Sequence, residues 1–467
     1  MSSMSPQELS YYDFNHKRLL ERFELIMSRL LSGASKSFPD LFASKAELKG
    51  FYRFIENSEV TETGLLSAHS NYLIDQLNQP QASGKPQASG EPHRPNYHYV
   101  LHDTTSMDCN GYQKKGVGYL HDPLSKGLWL HHSLLLDAHF KPLGLLDSEY
   151  IVREEYGKKH ERKQKPIQEK ESYKWIQGIQ KAAAIRQVEL VHVADRESDV
   201  MEFLQAVLKQ NQQFVVRSAQ DRKLWADSVR LFEKVKTAPG VSIQRQLSDK
   251  NGKPYSAECL LHYGSVELTK KDSCLQLPLQ VVYLKEKQGD VEWLLLTSLP
   301  VESQQVESQQ AALFILDVYQ HRWLIEEYHK CLKTGCLLEQ RQVNEADNLF
   351  NMIALLQITA VKLLQLKDFN WQPTHQQGAA LALLAPQYLT KVEQLELVEG
   401  SPLWRLVLIA RLGGHQGLKQ KGMPGWQTLW KGWQFFHVFL QGFAAAQAIH
   451  VPQPEPHNPN QVIVGKP

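Results

Sequence analysis

Two short apolar segments, each leading into an aspartate, constrain the fold of this chain more than any other feature. Residues 97–102 are aromatic or apolar and lead into Asp103-Thr104-Thr105, and residues 188–194 lead into Asp195-Arg196-Glu197-Ser198-Asp199. Both segments have the composition of buried strands. The carboxyl ends of strands in an α/β sheet face the crevice that binds ligands, so we expect Asp103 and Asp195 to lie there. A turn or N-cap role is the alternative for each aspartate.

The surrounding elements predict a mixed α/β domain. Apolar runs and alternation predict strands at 97–103, 127–137, 141–146, 188–195 and 213–218, and helical periodicity predicts helices at 170–186 and 200–209. Short alternating segments at about 224–299 predict a β-rich insertion before a final helix.

That final helix carries an unusual group of polar residues. No Pro or Gly occurs from 313 to 334, which predicts one helix of several turns. At roughly 100° per residue, a sector of roughly 80° holds five of its residues: Tyr319, Arg322, Glu326, Lys330 and Lys333. The alternative is a solvated face with i,i+4 ion pairs. Together with the two aspartates, Glu326 would complete a set of oxygen ligands that suits Mg²⁺ or Mn²⁺.

These motifs, in this order, resemble the signature of the DDE transposases of bacterial insertion sequences, in particular the insertion-sequence-four group. The signature consists of Asp103-Thr104-Thr105, the Asp195 to Asp199 motif, and Tyr-x2-Arg-x3-Glu-x6-Lys from Tyr319 to Lys333. Supporting matches lie at 52–55, 214–218, 293–298, 321–323, 333–335 and 410–414. The resemblance therefore covers most of the chain.

The resemblance implies a fold and a reaction. The fold is α/β, an RNase H-like catalytic core with a β-rich insertion, flanked by N-terminal and C-terminal all-α domains. The reaction is cut-and-paste transposition, in which the enzyme nicks the transposon end, forms and opens a hairpin, and joins the 3′-OH to target DNA. Asp103, Asp195 and Glu326 would be catalytic and would bind two Mg²⁺ ions, with Mn²⁺ as a substitute.

The resemblance also implies contacts with double-stranded DNA. Tyr319, Arg322, Lys330, Lys333 and Arg217 would hold the DNA backbone near the metals. Trp293 would stack on a base flipped out of the DNA end, although a core aromatic is its simplest interpretation.

The chain divides into five predicted segments. Residues 1–78 form a helical DNA-end-binding domain, with helices at 15–31, at 44–57 and up to 77, and 79–96 form a flexible linker that contains PQASG twice. The catalytic domain spans 97–370, a C-terminal helical dimerisation domain spans 371–450, and 451–467 form a disordered tail. In the first domain Arg18, Arg22 and Arg53 are candidate phosphate contacts, with solvated surface as the alternative.

The C-terminal region is rich in helical periodicity and in aromatics. Helices are expected at 348–366, 376–384, 388–398, 401–412 and 426–449. Trp430, Trp433 and Phe436 lie on the last helix, where they would form either the core of this domain or an interface. The resemblance implies a homodimer in the synaptic complex.

Composition narrows the class of protein. The net charge is +2, so a DNA-binding surface must come from local clusters such as the basic run at 158–165, for which a solvated loop is the alternative. Five cysteines without metal spacing fit free thiols in a reducing cytosol. We expect a cytoplasmic, nucleoid-associated bacterial protein without membrane segments.

One feature departs from the pattern of the family. The sequence VESQQ at 301–305 is repeated at 306–310, between Trp293 and the helix of Tyr319. Two other functions remain open: a hydrolytic nuclease of RNase H type, and a catalytically inactive DNA-binding remnant. A cleavage assay on a transposon end separates the three by hairpins, nicks or binding alone.

Overall fold

The computed structural model describes residues 4–33, 36–80, 97–109, 115–156, 166–225, 227–248, 254–269, 276–300, 306–341, 343–368, 371 and 373–448. The chain forms two compact units, Met1–Asp368 and Phe369–Pro467. Most of the predicted linker, the basic run at 158–165, the first VESQQ copy and the predicted disordered tail lie outside the described residues. The five predicted domain boundaries stay a prediction.

The first unit is built on one large mixed sheet. Its strands, in chain order, are β1 (Tyr97–Asp108), β2 (Gly118–Tyr119), β3 (Lys126–Leu136), β4 (Pro142–Ile151), β5 (Glu189–Ala194), β6 (Gln213–Arg217), β7 (Val241–Ser248), β8 (Pro254–Thr269), β9 (Gln276–Glu286) and β10 (Glu292–Thr297). Their spatial order is β2-β3-β1-β5-β6-β10-β9-β8-β7, with β4 on β3. Strands β5 and β6 run parallel to β1, whereas β3 is antiparallel to it.

The predicted strands are present, with differences at their ends. β1 does not end at Asp103, as predicted, but continues to Asp108 because antiparallel pairing with β3 extends to Asp108↔Gly127. The segment predicted at about 224–299 is β-rich, with strands β7 to β10, and these continue the same sheet because β10 pairs with β6. β4 is longer than predicted, and β2 was not predicted.

The helices of the first unit cover both faces and the start of the chain. They are α1 (Pro6–Leu9), α2 (Lys17–Gly33), α3 (Phe38–Leu41), α4 (Lys45–Ile55), α5 (Glu62–Asn78), α6 (Tyr173–Ala182), α7 (Met201–Lys209), α8 (Leu231–Thr237), α9 (Val306–Gln320), α10 (Trp323–Lys330) and α11 (Ala346–Leu364). Side-chain caps explain where several begin, since Ser44 and Thr61 accept hydrogen bonds from Glu47 N and Gly64 N. Helix α6 is shorter than the predicted 170–186.

The single helix predicted for 313–334 is wrong. Helix α9 ends at Gln320, a turn follows, and α10 runs from Trp323 to Lys330 before a π-helix at Cys331–Gly335. At the turn Arg322 N bonds to the carbonyl of Tyr319, three residues back. At this turn the His321 ring stacks on Phe140 at 3.7 Å between ring centroids.

Helix α11 lies in the core of the first unit. The segment Ala346–Lys367 is long and apolar enough to cross a membrane by length and composition. However, 83% of its apolar window is buried inside the protein, which is typical of a core helix.

The second unit is helical and has its own core. Its helices are α12 (His375–Tyr388), α13 (Lys391–Glu396), α14 (Pro402–Leu412), α15 (Leu418–Lys421) and α16 (Trp426–Ala448). Helices α14 and α16 approach closely at Gly432, where a Cβ atom would lie 1.7 Å from the Ile409 carbonyl oxygen. Trp430, Trp433 and Phe436 are 4%, 0% and 0% exposed, so these aromatics are core residues and not interface anchors.

Candidate active site

The two aspartates follow the last residue pair of the parallel ladder between the neighbouring strands β1 and β5. The parallel ladder between β1 and β5 ends at the pair His102↔Ala194. Asp103 directly follows His102, and Asp195 directly follows Ala194. Neighbouring strands lie about 4.8 Å apart. The prediction that the aspartates of the two motifs lie together is therefore confirmed by the register of the sheet.

Local hydrogen bonds orient each aspartate. Asp103 Oδ1 accepts a hydrogen bond from Thr104 N at 2.8 Å. Asp195 caps the 3-10 helix Arg196–Ser198, because its Oδ1 accepts from Glu197 N at 2.9 Å. The capping role considered for Asp195 is thus real, and it leaves the side chain half-buried at the sheet edge.

Arg322 connects the strand aspartate to the helix glutamate. Its Nη1 lies 3.6 Å from Asp103 Oδ2, and its Nη2 donates a hydrogen bond to Glu326 Oε1. The Arg322 side chain is 19% exposed, so this guanidinium is largely removed from water. Burial lowers its pKa, but the facing Tyr319, Glu326 and Asp103 outweigh this effect and raise the pKa above its ordinary value.

Asp103 carries an incompletely compensated charge. Burial raises the pKa of its carboxyl from 3.8 to about 6, although Arg322 and the Thr104 N–H act in the opposite direction. The charges of Asp195 and Glu326 contribute to this rise in the pKa of Asp103. A buried carboxylate with a raised pKa among other carboxylates is typical of a functional site.

In the absence of divalent ions, Asp103→Asn is expected to stabilise the protein at neutral and higher pH. The folded-state pKa of about 6 lies above the ordinary 3.8, so the folded protein holds a proton that the unfolded chain releases. The contribution of this carboxyl to the free energy of unfolding is therefore largest below pH 3.8 and is lost as the pH rises through about 6. This loss amounts to about 3 kcal/mol, which the variant avoids.

Thermal unfolding of both proteins in EDTA measures this effect. The melting temperature of Asp103→Asn should exceed that of the wild type at about pH 8 and lose this advantage near pH 4. A difference in melting temperature that does not change with pH would contradict the raised pKa of Asp103.

Tyr319 and Trp293 lie together beside the acidic residues. Tyr319 is 5% exposed, and its ring meets Trp293 edge to face at 5.4 Å between centroids. Its pKa is raised by burial, an effect that the charges of Arg322 and Arg217 and a hydrogen bond with Arg217 partly offset. Arg217 also donates from Nη2 to the Glu292 carbonyl oxygen at 2.8 Å. Trp293 itself remains partly exposed.

The two predicted lysines do not both share the face of Glu326. Lys330 pairs with Glu327 at 3.2 Å, not with Glu326, and is 62% exposed. Lys333 lies in the π-helix and pairs with Glu339 at 3.4 Å. Because α10 ends between these positions, the single helical face predicted for Tyr319 through Lys333 is not formed.

The N-terminal arginines lie on the surface of the helices α2 and α4. Arg18 and Arg53 are exposed and Arg22 is half-buried. A cleft at the start of α2 is lined by Arg18 and Arg22 together with His16, Lys17 and Asn57. These side chains therefore make a local basic surface, as a DNA contact requires.

The sequence did not point to two residues near the site, Lys174 and Asp199. Lys174 on α6 is 11% exposed and lies 3.9 Å from Glu197. Burial lowers its pKa, whereas Glu197, Glu171 and Asp103 act in the opposite direction. Asp199, which the sequence presents only as the last residue of the second motif, is fully buried and bonds to the loop after β6. Their helical or motif context gave no sign of these long-range contacts.

Two family models match parts of this chain. Residues 138–361 match the family described as "Transposase DDE domain", and residues 1–60 match "Transposase DNA-binding". Among solved structures, the chain is similar to a "piggyBac transposase synaptic complex with hairpin DNA". That similarity has a TM-score of 0.39 and 11% identity, and covers 97% of this chain and 74% of the other. It does not establish a shared fold.

Proposed function

The two family matches support a DDE-type DNA transposase, and we propose that this chain performs cut-and-paste transposition in the manner of the insertion-sequence-four group and the transposon-five transposase. It binds inverted repeats at transposon ends, nicks them, forms and opens a hairpin, and transfers the 3′-OH to target DNA. The observation that carries this proposal is the meeting of Asp103 and Asp195 at one sheet edge with Glu326, which Arg322 links to Asp103.

The catalytic core is proposed to be RNase H-like. The strand order β4-β3-β1-β5-β6 supports this, since β1, β3 and β4 are antiparallel neighbours and β5 and β6 are parallel to β1. Asp103 and Asp195 then lie where the parallel pairing of β1 with β5 ends, close to the usual position of an α/β site.

The chemistry of the residues fits divalent metal ions. All three donors are carboxylates, which Mg²⁺ and Mn²⁺ prefer, and the buried Asp103 with its raised pKa would gain from a nearby cation. Among the described residues no group of three His, Cys, Asp or Glu side chains is already close enough to hold a metal. Asp103, Asp195 and Glu326 would hold two Mg²⁺ ions, which when bound activate a water or 3′-OH and stabilise the leaving 3′ oxygen.

The surrounding residues bind and position the DNA strand. Arg322 and Arg217 bring fixed guanidinium groups to the site, and such groups match phosphate oxygens through paired hydrogen bonds. Tyr319 between them fixes the backbone of the nucleotide at the cleavage site. Lys333 and Lys330 add charge further along the strand, and the N-terminal cleft holds the more distant part of the transposon end.

An end-labelled DNA cleavage assay tests the reaction. With Mg²⁺, the protein is expected to convert a transposon end first to a nicked species and then to a hairpin that migrates separately on a denaturing gel. Nicks without hairpins would favour the plain nuclease, and binding without cleavage would favour the inactive remnant.

Trp293→Ala is expected to impair hairpin formation more than first-strand nicking. Stacking on an extruded base contributes about 1–3 kcal/mol of binding free energy. Its loss should slow hairpin formation most, because that step bends the strand sharply. An abasic nucleotide at the extruded position should partly rescue the variant. Product analysis of both steps on one gel measures the difference.

The matched control is Trp225→Ala, which removes another partly exposed tryptophan of the same unit. It should leave the ratio of hairpins to nicks unchanged. Trp293 would instead be a core residue if Trp293→Ala lowered both steps equally together with the melting temperature.

The active complex is proposed to be a homodimer that acts in the bacterial cytoplasm, near the nucleoid. Helix α16 presents Phe435 and Val438 to solvent, at 42% and 63% exposure, on the face opposite its buried aromatics. Exposed aromatic and aliphatic residues are suitable interface anchors.

Phe435→Glu and Val438→Glu are expected to prevent the pairing of two DNA ends while single-end binding persists. A charge in a buried interface is costly, whereas on an exposed helix face it leaves the fold intact. A native gel separates one-end from two-end complexes. Gln427→Glu, an exposed position earlier on the same helix, should pair ends normally. A two-end complex that survives both substitutions would rule out this face.

A further inference from the structure

Helix α10, which carries Glu326, is held in place differently from the two aspartates. Backbone hydrogen bonds of the sheet fix Asp103 and Asp195 relative to each other. Helix α10 has only eight residues and lies between a turn and the π-helix Cys331–Gly335. Its position relative to the sheet therefore depends on side-chain contacts.

Three buried polar side chains join α10 to the sheet. His329 Nε2 lies 3.0 Å from His132 Nδ1, and His132 Nε2 lies 3.0 Å from Gln357 Nε2 on α11. Gln357 Nε2 also donates to Ser148 Oγ at 3.0 Å, and its Oε1 accepts from Tyr150 O–H at 3.2 Å. His132, His329 and Gln357 are 0%, 8% and 0% exposed.

The direction of these hydrogen bonds follows from the amide of Gln357. Its Nε2 is a donor, so His132 Nε2 must accept. His132 then carries its proton on Nδ1 and donates it to His329 Nε2. Each contact thus has one donor and one acceptor, as buried polar groups require.

Two of these hydrogen-bonded side chains, His132 and His329, lie close in the structure to the proposed catalytic carboxylates. His132 on β3 is the cross-strand partner of Asp103, and paired residues place their side chains on the same face of the sheet. His329 follows Glu326 by one helical turn. We propose that His132 and His329 are positioning residues, which fix helix α10, and with it Glu326, relative to Asp103 on the sheet.

The two histidines are suited to this role because both imidazole rings remain uncharged. Burial lowers the pKa of His329 to about 3, with a further contribution from Lys333 and Arg322. Burial also holds the pKa of His132 well below its ordinary range. The contact therefore does not change over the pH range in which the carboxylates bind metal.

Two substitutions at His329 separate positioning from simple packing. In His329→Gln the side-chain oxygen takes the place of Nε2 and still accepts from His132, whereas Asn is too short to reach. This inference rests on the proposed function. We expect His329→Asn to weaken Mn²⁺ binding about tenfold, and His329→Gln to remain close to the wild type. Calorimetric titration with Mn²⁺ alone measures this without DNA cleavage.

His192→Gln serves as a control for the loss of a buried histidine pair. It removes the 2.7 Å contact between His192 Nδ1 and His102 Nε2, but backbone pairing still holds those two strands. It should lower the melting temperature and leave Mn²⁺ affinity unchanged. The positioning role is overturned if His329→Asn binds Mn²⁺ like the wild type, or if His192→Gln loses as much affinity. A wild type that binds no Mn²⁺ would overturn the proposed metal site itself, and the positioning role with it.

Discussion

Asp103→Asn, Asp195→Asn and Glu326→Gln are each expected to reduce cleavage of a transposon end on the order of 10³-fold or more. Each substitution removes one negative charge and one oxygen ligand from the proposed metal site. A metal pair supplies several kcal/mol to the stabilisation of the transition state, and it fails when one ligand is lost. DNA binding should persist, because it depends on phosphate contacts elsewhere.

Cleavage of labelled DNA in Mg²⁺ and a gel shift with the same DNA measure the two properties separately. Glu327→Gln is the matched control, since Glu327 is adjacent in sequence but pairs with Lys330 and Lys367. This control should cut DNA at close to the wild-type rate. Substantial cleavage by any of the three site variants would show that the assignment of the carboxylates is wrong.

Asp199→Ala is expected to destabilise the protein by about 3–5 kcal/mol. The carboxylate is 0% exposed and pairs with Arg222, and its Oδ2 also accepts from Ala219 N and Gln220 N at 2.7 and 2.9 Å. The substitution removes the carboxylate that accepts hydrogen bonds from the Arg222 guanidinium and from two backbone N–H groups, and these donors are largely buried. Because this loop follows Arg217 on β6, DNA cleavage should fall as well.

Urea unfolding of the purified variant measures the loss of stability. Asp227→Ala provides the comparison, since Asp227 pairs with Lys234 at 2.9 Å on a partly exposed surface. Exposed ion pairs contribute only about 0–1 kcal/mol, so this variant should unfold almost like the wild type. Equal effects of the two substitutions would mean that the Asp199 contacts do not stabilise the fold.

The sequence predicted the parts of the fold that follow from local periodicity. Residues 188–194 are a continuous apolar run, which is typical of a parallel strand buried on both faces, and β5 occupies 189–194. The placement of Asp103 and Asp195 was predicted for the same reason, because strand ends at one edge bring their side chains together. The family resemblance then identified Glu326 as the third carboxylate.

Features that depend on distant contacts could not be predicted. The break after Gln320 occurs where His321 stacks on Phe140, a residue far away in the chain. The composition of 313–334 favours a continuous helix, so Tyr319 was predicted to share one helical face with Glu326, although the break lies between them. The same holds for His132, whose partners His329 and Gln357 become neighbours only in the folded protein.

The aromatic residues of α16 show a second reason why a role could not be predicted from the sequence. Trp430, Trp433 and Phe436 fit a core and an interface equally well, because both environments bury aromatic side chains. Packing of α14 against α16 buries them within the second unit. The exposed Phe435 and Val438 could be recognised only after the buried face was known.

Mn²⁺ bound to crystals of the protein and located by its anomalous scattering provides the most direct measurement. Anomalous peaks are expected between the three carboxylates, with oxygens of Asp103, Asp195 and Glu326 at about 2.1 Å from the ions. Arg322 should no longer hold both Asp103 and Glu326. Crystals in which Arg322 keeps both contacts at saturating Mn²⁺, with no peak beside the carboxylates, would contradict the metal site from which the proposed function follows.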